Sequence, residues 1–349
     1  MKTRNCKGLI LLLLCCWTAT LQAGGIDSLQ RYRFRAHRMA ERQEFRNAIH
    51  WEQAALRLAA VTDTSDWNGQ VAGNEKIGRF YRKLGELDSC YSYYNLALDI
   101  GRDHLDVFDP LFLDVKNSLG IYFYVKGDCE SALNLYNQVL MGRILTIGSI
   151  HPKVASIYNN MAICYDQLGE HGKALEYYNK ALSIRFDFYG DCHNSVAASY
   201  LNLGVCYHNL GDYNEALAYY QGALEIWQHN LDEKDLDFYG LYNNMGVCYQ
   251  SKGDYDRAHE YLKRALETAI AVHGDRHPDV ARSFNNLGIN YFERGDYNKA
   301  LVYYQKALIV RKDRLGADHP LVAKTLSNMA NCYRLKGDMR KAYEISQQA

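Results

Sequence analysis

The segment from Asn194 to Gly211 has the sequence NSVAASYLNLGVCYHNLG, and DYNEAL follows it at 212–217. Its apolar and aromatic residues recur at intervals of three and four, which places them on one face of an α-helix. The residues of that face are Val196, Tyr200, Leu203 and Tyr207. Gly211 suits the left-handed turn that ends a helix, and Asp212 with Glu215 three residues later is typical of the start of the next helix. The segment therefore predicts two consecutive helices joined by a tight turn.

This pattern recurs along the chain with a period of 42 residues. Glycine followed by Asp or Glu stands at Gly85, Gly127, Gly169, Gly211, Gly253, Gly295 and Gly337. One period before Gly85, Gln43 and Glu44 mark an eighth, degenerate copy. Because one helix pair cannot cover its own apolar faces, adjacent pairs must stack on each other. The sequence predicts an all-α chain of about eight helix pairs.

A second set of glycines falls inside the first helix of the repeat, at Gly204, Gly246 and Gly288. Glycine in a helix interior costs about 1 kcal/mol relative to alanine. Its recurrence predicts that the second helix of the pair approaches closely there, with an alanine such as Ala216 opposite the glycine.

The segment from Ala197 resembles the tetratricopeptide repeat, whose characteristic positions it matches one by one. The matching residues are Tyr200, Leu203, Gly204, Tyr207, Ala216, Tyr220 and Ala223. The 42-residue period and the junctions GDRHPDVA (274–281) and GADHPLVA (316–323) are similar to the kinesin light chain subtype. The resemblance implies a right-handed superhelical α-α solenoid over residues 29–349, with a degenerate first copy and a last copy truncated in its second helix. It also implies a protein-protein interaction scaffold that binds a peptide segment or a partner protein in its concave groove.

Residues 1–23 have the pattern of a secretory signal peptide rather than of the repeat. Three basic residues precede the uncharged apolar run from Leu9 to Trp17, and Ala23 offers a small residue for cleavage. The run is too short for a comfortable membrane span, which needs about 20 residues. We therefore expect an exported chain, periplasmic, cell-surface or secreted, with no membrane span after cleavage. An uncleaved anchor, or a lipoprotein site at Cys15 or Cys16, is the alternative.

The overall charge excludes some classes of partner. The 349 residues carry 40 Lys and Arg against 40 Asp and Glu, which gives a formal net charge of zero. General nucleic-acid binders and proteins that bind anionic membranes carry a basic excess. We expect a protein or peptide partner and no nucleic acid.

Two sets of metal-binding residue types recur at the repeat period. The histidines are His151, His193, His277 and His319, and the cysteines are Cys164, Cys206, Cys248 and Cys332, with Asn290 in one copy. Equivalent residues of stacked repeats lie about 10 Å apart, whereas zinc holds its ligands at about 2 Å. The histidines are therefore expected to cap helices and the cysteines to fill the core, with no metal and no cofactor. A Cys–His nucleophilic pair stays open, but the sequence has no P-loop, G-x-S-x-G or H-E-x-x-H motif, so we expect no enzyme.

A row of amides points to the binding surface. One position of the first helix holds Asn160, Asn202, Asn244, Asn286 and Asn328. In tetratricopeptide domains that hold extended peptides this position faces the groove, and an amide can pair with a ligand backbone. Four residues earlier stand Arg282 and Lys324, which would favour an acidic ligand or a C-terminal carboxylate. The alternative is that the asparagines only join neighbouring helices.

Other readings of the repeat stay open. Tyr207, Tyr249, Tyr291 and Tyr333 recur at the core period, so packing is favoured over an aromatic cage. The array could instead be the N-terminal regulatory or sensing part of a larger protein, a CHAT-type peptidase or a sensor kinase, truncated at Ala349. A purely structural oligomer is a third possibility, and the sequence leaves the oligomeric state open.

Overall fold

The computed structural model describes residues 28–63, 65–231 and 235–349, so the predicted signal peptide at 1–23 lies outside the described residues. The regular secondary structure of these ranges is entirely α-helical, which confirms the all-α fold of consecutive helix pairs. The chain divides into two compact units, one up to Glu170 and one from His171. A single solenoid over 29–349 stays a prediction. None of the helices in the described ranges is both long and apolar enough to cross a membrane.

The first unit contains helices α1 (28–41), α2 (Phe45–Thr62), α3 (Trp67–Lys83), α4 (Leu87–His104), α5 (Pro110–Val125), α6 (Cys129–Ile147) and α7 (Pro152–Gln167). From α2 onward each helix packs on the next, and α5 also contacts α3 and α7. The first helices of neighbouring pairs therefore form a layer of their own. Buried aromatic and aliphatic residues such as Tyr94, Leu119 and Tyr122 fill the space between the layers.

The second unit contains helices α8 (His171–Tyr189), α9 (Asn194–Leu210), α10 (Tyr213–Asn230), α11 (Leu236–Ser251), α12 (Tyr255–His273), α13 (Pro278–Glu293), α14 (Tyr297–Leu315), α15 (Pro320–Leu335) and α16 (Met339–Ser346). Consecutive helices pack on each other, and the first helices α9, α11, α13 and α15 also contact their neighbours in that order. A large buried cluster lies where α10 meets α11, around Tyr220, Trp227 and Phe238.

The tight turn of the repeat has the predicted conformation. The glycines at the seven turns have φ between +77° and +84°, the left-handed region. Asp212 then caps α10 by accepting a hydrogen bond from the backbone N–H of Glu215 at 3.4 Å. In the degenerate first copy Gln43 takes the same conformation, with φ of 60°, although it has a side chain. The repeat register therefore extends to residue 43.

The glycines inside the first helices mark a close approach of the second helix, as predicted, and a Cβ atom on Gly204 would lie 3.1 Å from the carbonyl oxygen of Ala216. A Cβ atom on Gly204 would lie 2.6 Å from Cδ1 of Tyr220, and one on Gly288 would lie 2.6 Å from the same atom of Tyr304. In the pair α11–α12 the side chain of Leu262 takes that place over Gly246. Because glycine has no Cβ atom, it leaves room for a large side chain of the second helix. This side chain stands one turn beyond the alanine, as Tyr220 does beyond Ala216.

The histidines at the repeat period cap the first helices, as predicted. The Nδ1 atoms of His151, His193, His277 and His319 accept the backbone N–H two residues later at 3.1–3.2 Å. In three of these junctions the next residue is a proline in the first turn, where its missing N–H costs nothing.

Candidate peptide-binding site

The five asparagines occupy equivalent positions on the first helices and are all half-buried. Asn160 lies on α7 in the first unit, and Asn202, Asn244, Asn286 and Asn328 lie on α9, α11, α13 and α15 in the second. Their contact with a ligand stays a prediction.

Two of these amides join neighbouring first helices. Asn286 Nδ2 donates to Asn243 Oδ1 at 2.9 Å, and Asn160 Nδ2 donates to Asn117 Oδ1 at 3.3 Å. Each bond connects two consecutive repeats, which is the structural role weighed as the alternative. The two roles are compatible for a half-buried amide, because it has two donor hydrogens and an acceptor oxygen.

The predicted cations meet one of the asparagines in a single pocket. Arg282, Asn286 and Lys324 all line a pocket of about 270 Å³ between α13, α14 and α15. Arg311 and Arg314 line it as well, so four cationic side chains surround it and no Asp or Glu is among its lining residues. Two of the four cations pair with carboxylates that are not among the lining residues: Arg282 Nη2 lies 3.5 Å from Asp279 Oδ1, and Arg314 Nε lies 3.6 Å from Asp313 Oδ2. The pocket is thus suited to an anion.

Arg311 is the site residue that the sequence reasoning missed. Its side chain is 6% exposed, and Nη1 donates to Thr325 Oγ1 at 2.6 Å, to the carbonyl of Leu321 at 2.9 Å and to Asn285 Oδ1 at 3.3 Å. All three acceptors are neutral, and Arg311 forms no ion pair within the described ranges. Burial, and then the charge of Arg282, lowers the pKa of Arg311. The signal was present, because arginine recurs at Arg143, Arg185 and Arg311, at multiples of the 42-residue period.

The equivalent arginine of the first unit has a carboxylate partner. Arg143 is 3% exposed and forms an ion pair through Nη2 with Oδ1 of Asp114. Lys153 Nζ lies 3.7 Å from the other oxygen of Asp114. Asp114 and Arg282 occupy the same position of the repeat, four periods of 42 residues apart. The repeat position that holds a neutralising carboxylate beside Arg143 therefore holds a cation beside Arg311.

The cysteines at the repeat period are core residues, as expected. Cys164, Cys206, Cys248 and Cys332 are fully buried, and no disulfide joins cysteines of the described residues. Cys248 Sγ contacts the carbonyl of Tyr213 at 3.6 Å, and Asn290 donates to the equivalent carbonyl of Tyr255 at 3.1 Å. Burial raises the pKa of Cys248 to about 11, so its thiolate is scarce at neutral pH and it is a poor nucleophile.

The tyrosines at this one position of the repeat pack, but at the edge of the core rather than inside it. Tyr207, Tyr249 and Tyr291 are half-buried, and each stacks on a tyrosine twelve residues later with ring centroids 5.4–5.5 Å apart. The least exposed tyrosines of the described residues, such as Tyr220 at 1%, lie on the second helices instead. The stacked pairs support the packing interpretation over an aromatic cage.

One junction brings together residues that could hold a metal. The ligand atoms of His273, His277 and Asp279 lie within 4.8 Å of one another. Burial, and then the neighbouring His273, lowers the pKa of His277. The sequence reasoning compared only equivalent histidines of different repeats and passed over His273, which belongs to the same junction as His277.

Several solved structures are similar to this chain. BtubC (BKLC) from P. vanneervenii is 27% identical, with a TM-score of 0.52 over 73% of this chain and 94% of that one. A Podosopora anserina protein described as a kinesin light chain with nearly identical TPR-like repeats is 21% identical, with a TM-score of 0.51 over 57% of this chain and 94% of that one. A STAND protein with a tetratricopeptide repeat sensor from Pyrococcus horikoshii is 17% identical, with a TM-score of 0.62 over 93% of this chain and 49% of that one. No curated protein sequence matches the chain.

Family models confirm the resemblance that the repeat suggested. Tetratricopeptide repeat models match residues 74–104, 115–185, 195–237, 237–313 and 291–349. These matches cover well over half of the chain and follow the helix pairs described above. The chain therefore belongs to the tetratricopeptide repeat family.

Proposed function

We propose that the chain is a protein-interaction scaffold that binds a peptide segment or partner protein on the face of its first helices. In this proposal the pocket around Arg311 takes a carboxylate of the partner, either an acidic side chain or a C-terminus. The observation that carries the proposal is that four cations and no carboxylate line the pocket. Scaffolding is the general role of the tetratricopeptide family, and a binding role rather than a catalytic one fits the inert thiols of the core.

The chemistry of Arg311 supports an anionic ligand. A guanidinium has five N–H donors arranged for a bidentate carboxylate. All hydrogen bonds of Arg311 in the described part of the chain start from Nη1. The donors on Nη2 and Nε therefore remain for a ligand. A carboxylate in the pocket would neutralise Arg311 and the exposed cations Arg282 and Lys324 together, and such charge-assisted bonds are about twice as strong as neutral ones.

The test compares peptides that differ in charge. A fluorescein-labelled hexapeptide of alternating Asp and Glu, with a free C-terminus, is titrated with the full chain and followed by fluorescence polarisation. We expect saturable binding that weakens with salt, because exposed charges are screened over about 10 Å at 0.1 M. The amidated peptide and a lysine counterpart should bind more weakly in that order.

Two lysines of the second unit give a matched pair of variants. Lys324 lines the pocket, whereas Lys312 follows Arg311 in the sequence, is also exposed, and is not among the lining residues. Lys324→Ala should weaken binding of the acidic peptide about tenfold, which corresponds to about 1.4 kcal/mol, and Lys312→Ala should leave it unchanged. Equal effects of the two substitutions, or equal affinity for the acidic and lysine peptides, would refute the pocket.

Asparagine variants separate ligand contact from helix bracing. Asn244→Ala and Asn286→Ala should weaken peptide binding while leaving the melting temperature nearly unchanged. A large loss of stability without a specific loss of binding would instead assign Asn286 to the bond with Asn243 alone.

We also propose that the chain works outside the cytoplasm, on the strength of the signal pattern at 1–23. N-terminal sequencing of the exported protein should then begin at Gly24.

The regulatory-array alternative is a second candidate, and the sensor role named for the repeats of the Pyrococcus horikoshii protein is compatible with it.

A further inference from the structure

The junction between α12 and α13 holds an unusual cluster of side chains. His273 is the last residue of α12, His277 caps α13 and Asp279 lies in its first turn. The two imidazole rings stack with their centroids 3.9 Å apart and their planes inclined by 18°. Asp279 Oδ2 lies 3.3 Å from His277 Nδ1 and 3.7 Å from His273 Nε2.

One atom of this cluster has no partner. His273 Nε2 is buried and makes no hydrogen bond within the described ranges. A buried polar atom without a partner is costly and requires an explanation, such as a bound ion or water. Nε2 lies 3.7 Å from Oδ2 of Asp279, which in turn lies 3.3 Å from Nδ1 of His277. An ion bound to Nε2 would therefore lie near two other possible ligand atoms.

Equivalent junctions show that packing alone does not require these residues. The position of His273 holds Leu105, Ile147, Tyr189, Leu231 and Leu315 in other copies, and the position of Asp279 holds Leu111, Lys153, Ser195, Asp237 and Leu321. In the junction after α8, Tyr189 stacks on His193 with centroids 4.0 Å apart and planes inclined by 6°. A tyrosine therefore fills the place of His273 with the same stacking geometry. The stacking does not require an imidazole at position 273, and the nitrogen atoms of His273 are possible metal ligands in addition to it.

We propose that His273, His277 and Asp279 bind a divalent transition-metal ion of the zinc type. A tetrahedral zinc ion with bonds of about 2.0–2.1 Å holds its ligand atoms about 3.3–3.4 Å apart. Two edges of this triangle measure 3.3 and 3.7 Å, and one of the two stacked rings must rotate for both nitrogen lone pairs to point at one ion. Two imidazoles and one carboxylate suit zinc better than magnesium or calcium, which prefer oxygen ligands alone. Water takes the fourth position.

Three features of the junction oppose the ion and limit its affinity. The N-terminus of α13 carries a partial positive charge, and Arg282 Nη2 lies 3.5 Å from the other oxygen of Asp279. His277 Nδ1 also accepts the backbone N–H of Asp279 at 3.2 Å, so the ion must replace that bond if it takes this nitrogen. Metal–ligand bonds to imidazole and carboxylate outweigh a screened dipole and one half-exposed cation, so the site is expected to bind zinc moderately rather than tightly.

The experiment titrates zinc into the full chain by calorimetry, after removal of any tag and of bound metal. All variants carry Cys192→Ser, because Cys192 is exposed and could bind zinc by itself. We expect one zinc per chain for this parent. His273→Tyr recreates the stack of Tyr189 on His193, so its helical circular dichroism and its melting temperature in chelator should match the parent. Its zinc affinity should fall at least tenfold, and Asp279→Ser, which copies Ser195, should behave alike.

A capping histidine elsewhere provides the control. His319 caps α15 in the same way as His277 caps α13, but Leu315 and Leu321 occupy the positions of His273 and Asp279. His319→Asn should leave zinc affinity unchanged, since asparagine also caps helices. The proposal is overturned if the parent shows no saturable zinc binding, if His273→Tyr binds zinc as the parent does, or if His319→Asn alone removes binding.

Discussion

Arg143 and Arg311 occupy the same position of the repeat and are both buried, yet they lie in opposite electrostatic surroundings. Arg143 faces Asp114, which neutralises it within the first unit. Arg311 faces Arg282 at the equivalent position, and its acceptors are two neutral side chains and a carbonyl. The two copies thus surround the same buried arginine with a carboxylate in one case and with a cation and neutral acceptors in the other.

The difference shows that the electrostatic surroundings of a buried arginine can change between repeats of the same fold. The positive charge of a buried guanidinium costs free energy unless it is neutralised or hydrogen-bonded, and a protein carboxylate or a ligand can do this. Around Arg143 the compensation is internal and contributes to folding. Around Arg311 hydrogen bonds provide part of it, and we infer that a ligand provides the rest.

The largest expected effect comes from opening the closed pair. Asp114→Asn leaves Arg143 buried without a counter-charge and should cost about 2 kcal/mol, below the full value for a buried pair because Asp114 is 44% exposed. Urea denaturation measures this change. Asp103→Asn on α4, an exposed residue with no ion pair in the described ranges, should change stability by less than about 0.5 kcal/mol. Similar losses of unfolding free energy for the two variants would show that the ion pair of Asp114 and Arg143 does not contribute to stability.

The next effect tests the hydrogen bonds that hold Arg311. Thr325→Val removes the hydroxyl that accepts from Nη1 at 2.6 Å and should cost about 1.5 kcal/mol. Thr268, buried on α12 without a side-chain hydrogen bond to the described residues, gives the control. Thr268→Val should be neutral or slightly stabilising. A neutral Thr325→Val would mean that Arg311 is compensated in some other way.

A charge reversal should make the open pocket resemble the closed pair. Arg282→Asp places a carboxylate at the position of Asp114 and should stabilise the second unit by about 1 kcal/mol, since the new pair is only partly buried. The same variant should lose binding of the acidic peptide. A variant that still binds this peptide would show that Arg311 is not the anchor of the ligand.

The smallest expected change in stability tests whether the turn at Gln43 is equivalent to the glycine turns of the other repeats. Gln43 has a positive φ of 60° where seven other turns have glycine. Gln43→Gly should stabilise the chain by about 0.5 kcal/mol, because it relieves the left-handed strain but adds freedom to the unfolded chain. A thermal melt detects the change, and Arg38→Gly at an exposed position inside α1 should be destabilising instead. A destabilised Gln43→Gly would contradict the equivalence of this turn to the others.

The sequence by itself determined the parts of this protein that depend on neighbours in the chain. The 42-residue period, the glycine turns and the histidine caps are local, because φ preferences and side-chain-to-backbone bonds act over a few residues. Arg282, Asn286 and Lys324 could be singled out by their repeat position alone. Their function in binding stays a proposal.

Only the tertiary structure decided which distant residues meet. Arg311 lies 29 residues from Arg282 and 14 from Thr325, and the ring of Tyr220 covers Gly204 together with the carbonyl of Ala216. Such contacts depend on the directions in which side chains leave two packed helices, which the period does not specify. The pairing of His273 with Asp279 is of the same kind, because two helix ends must close on each other before their side chains can share an ion.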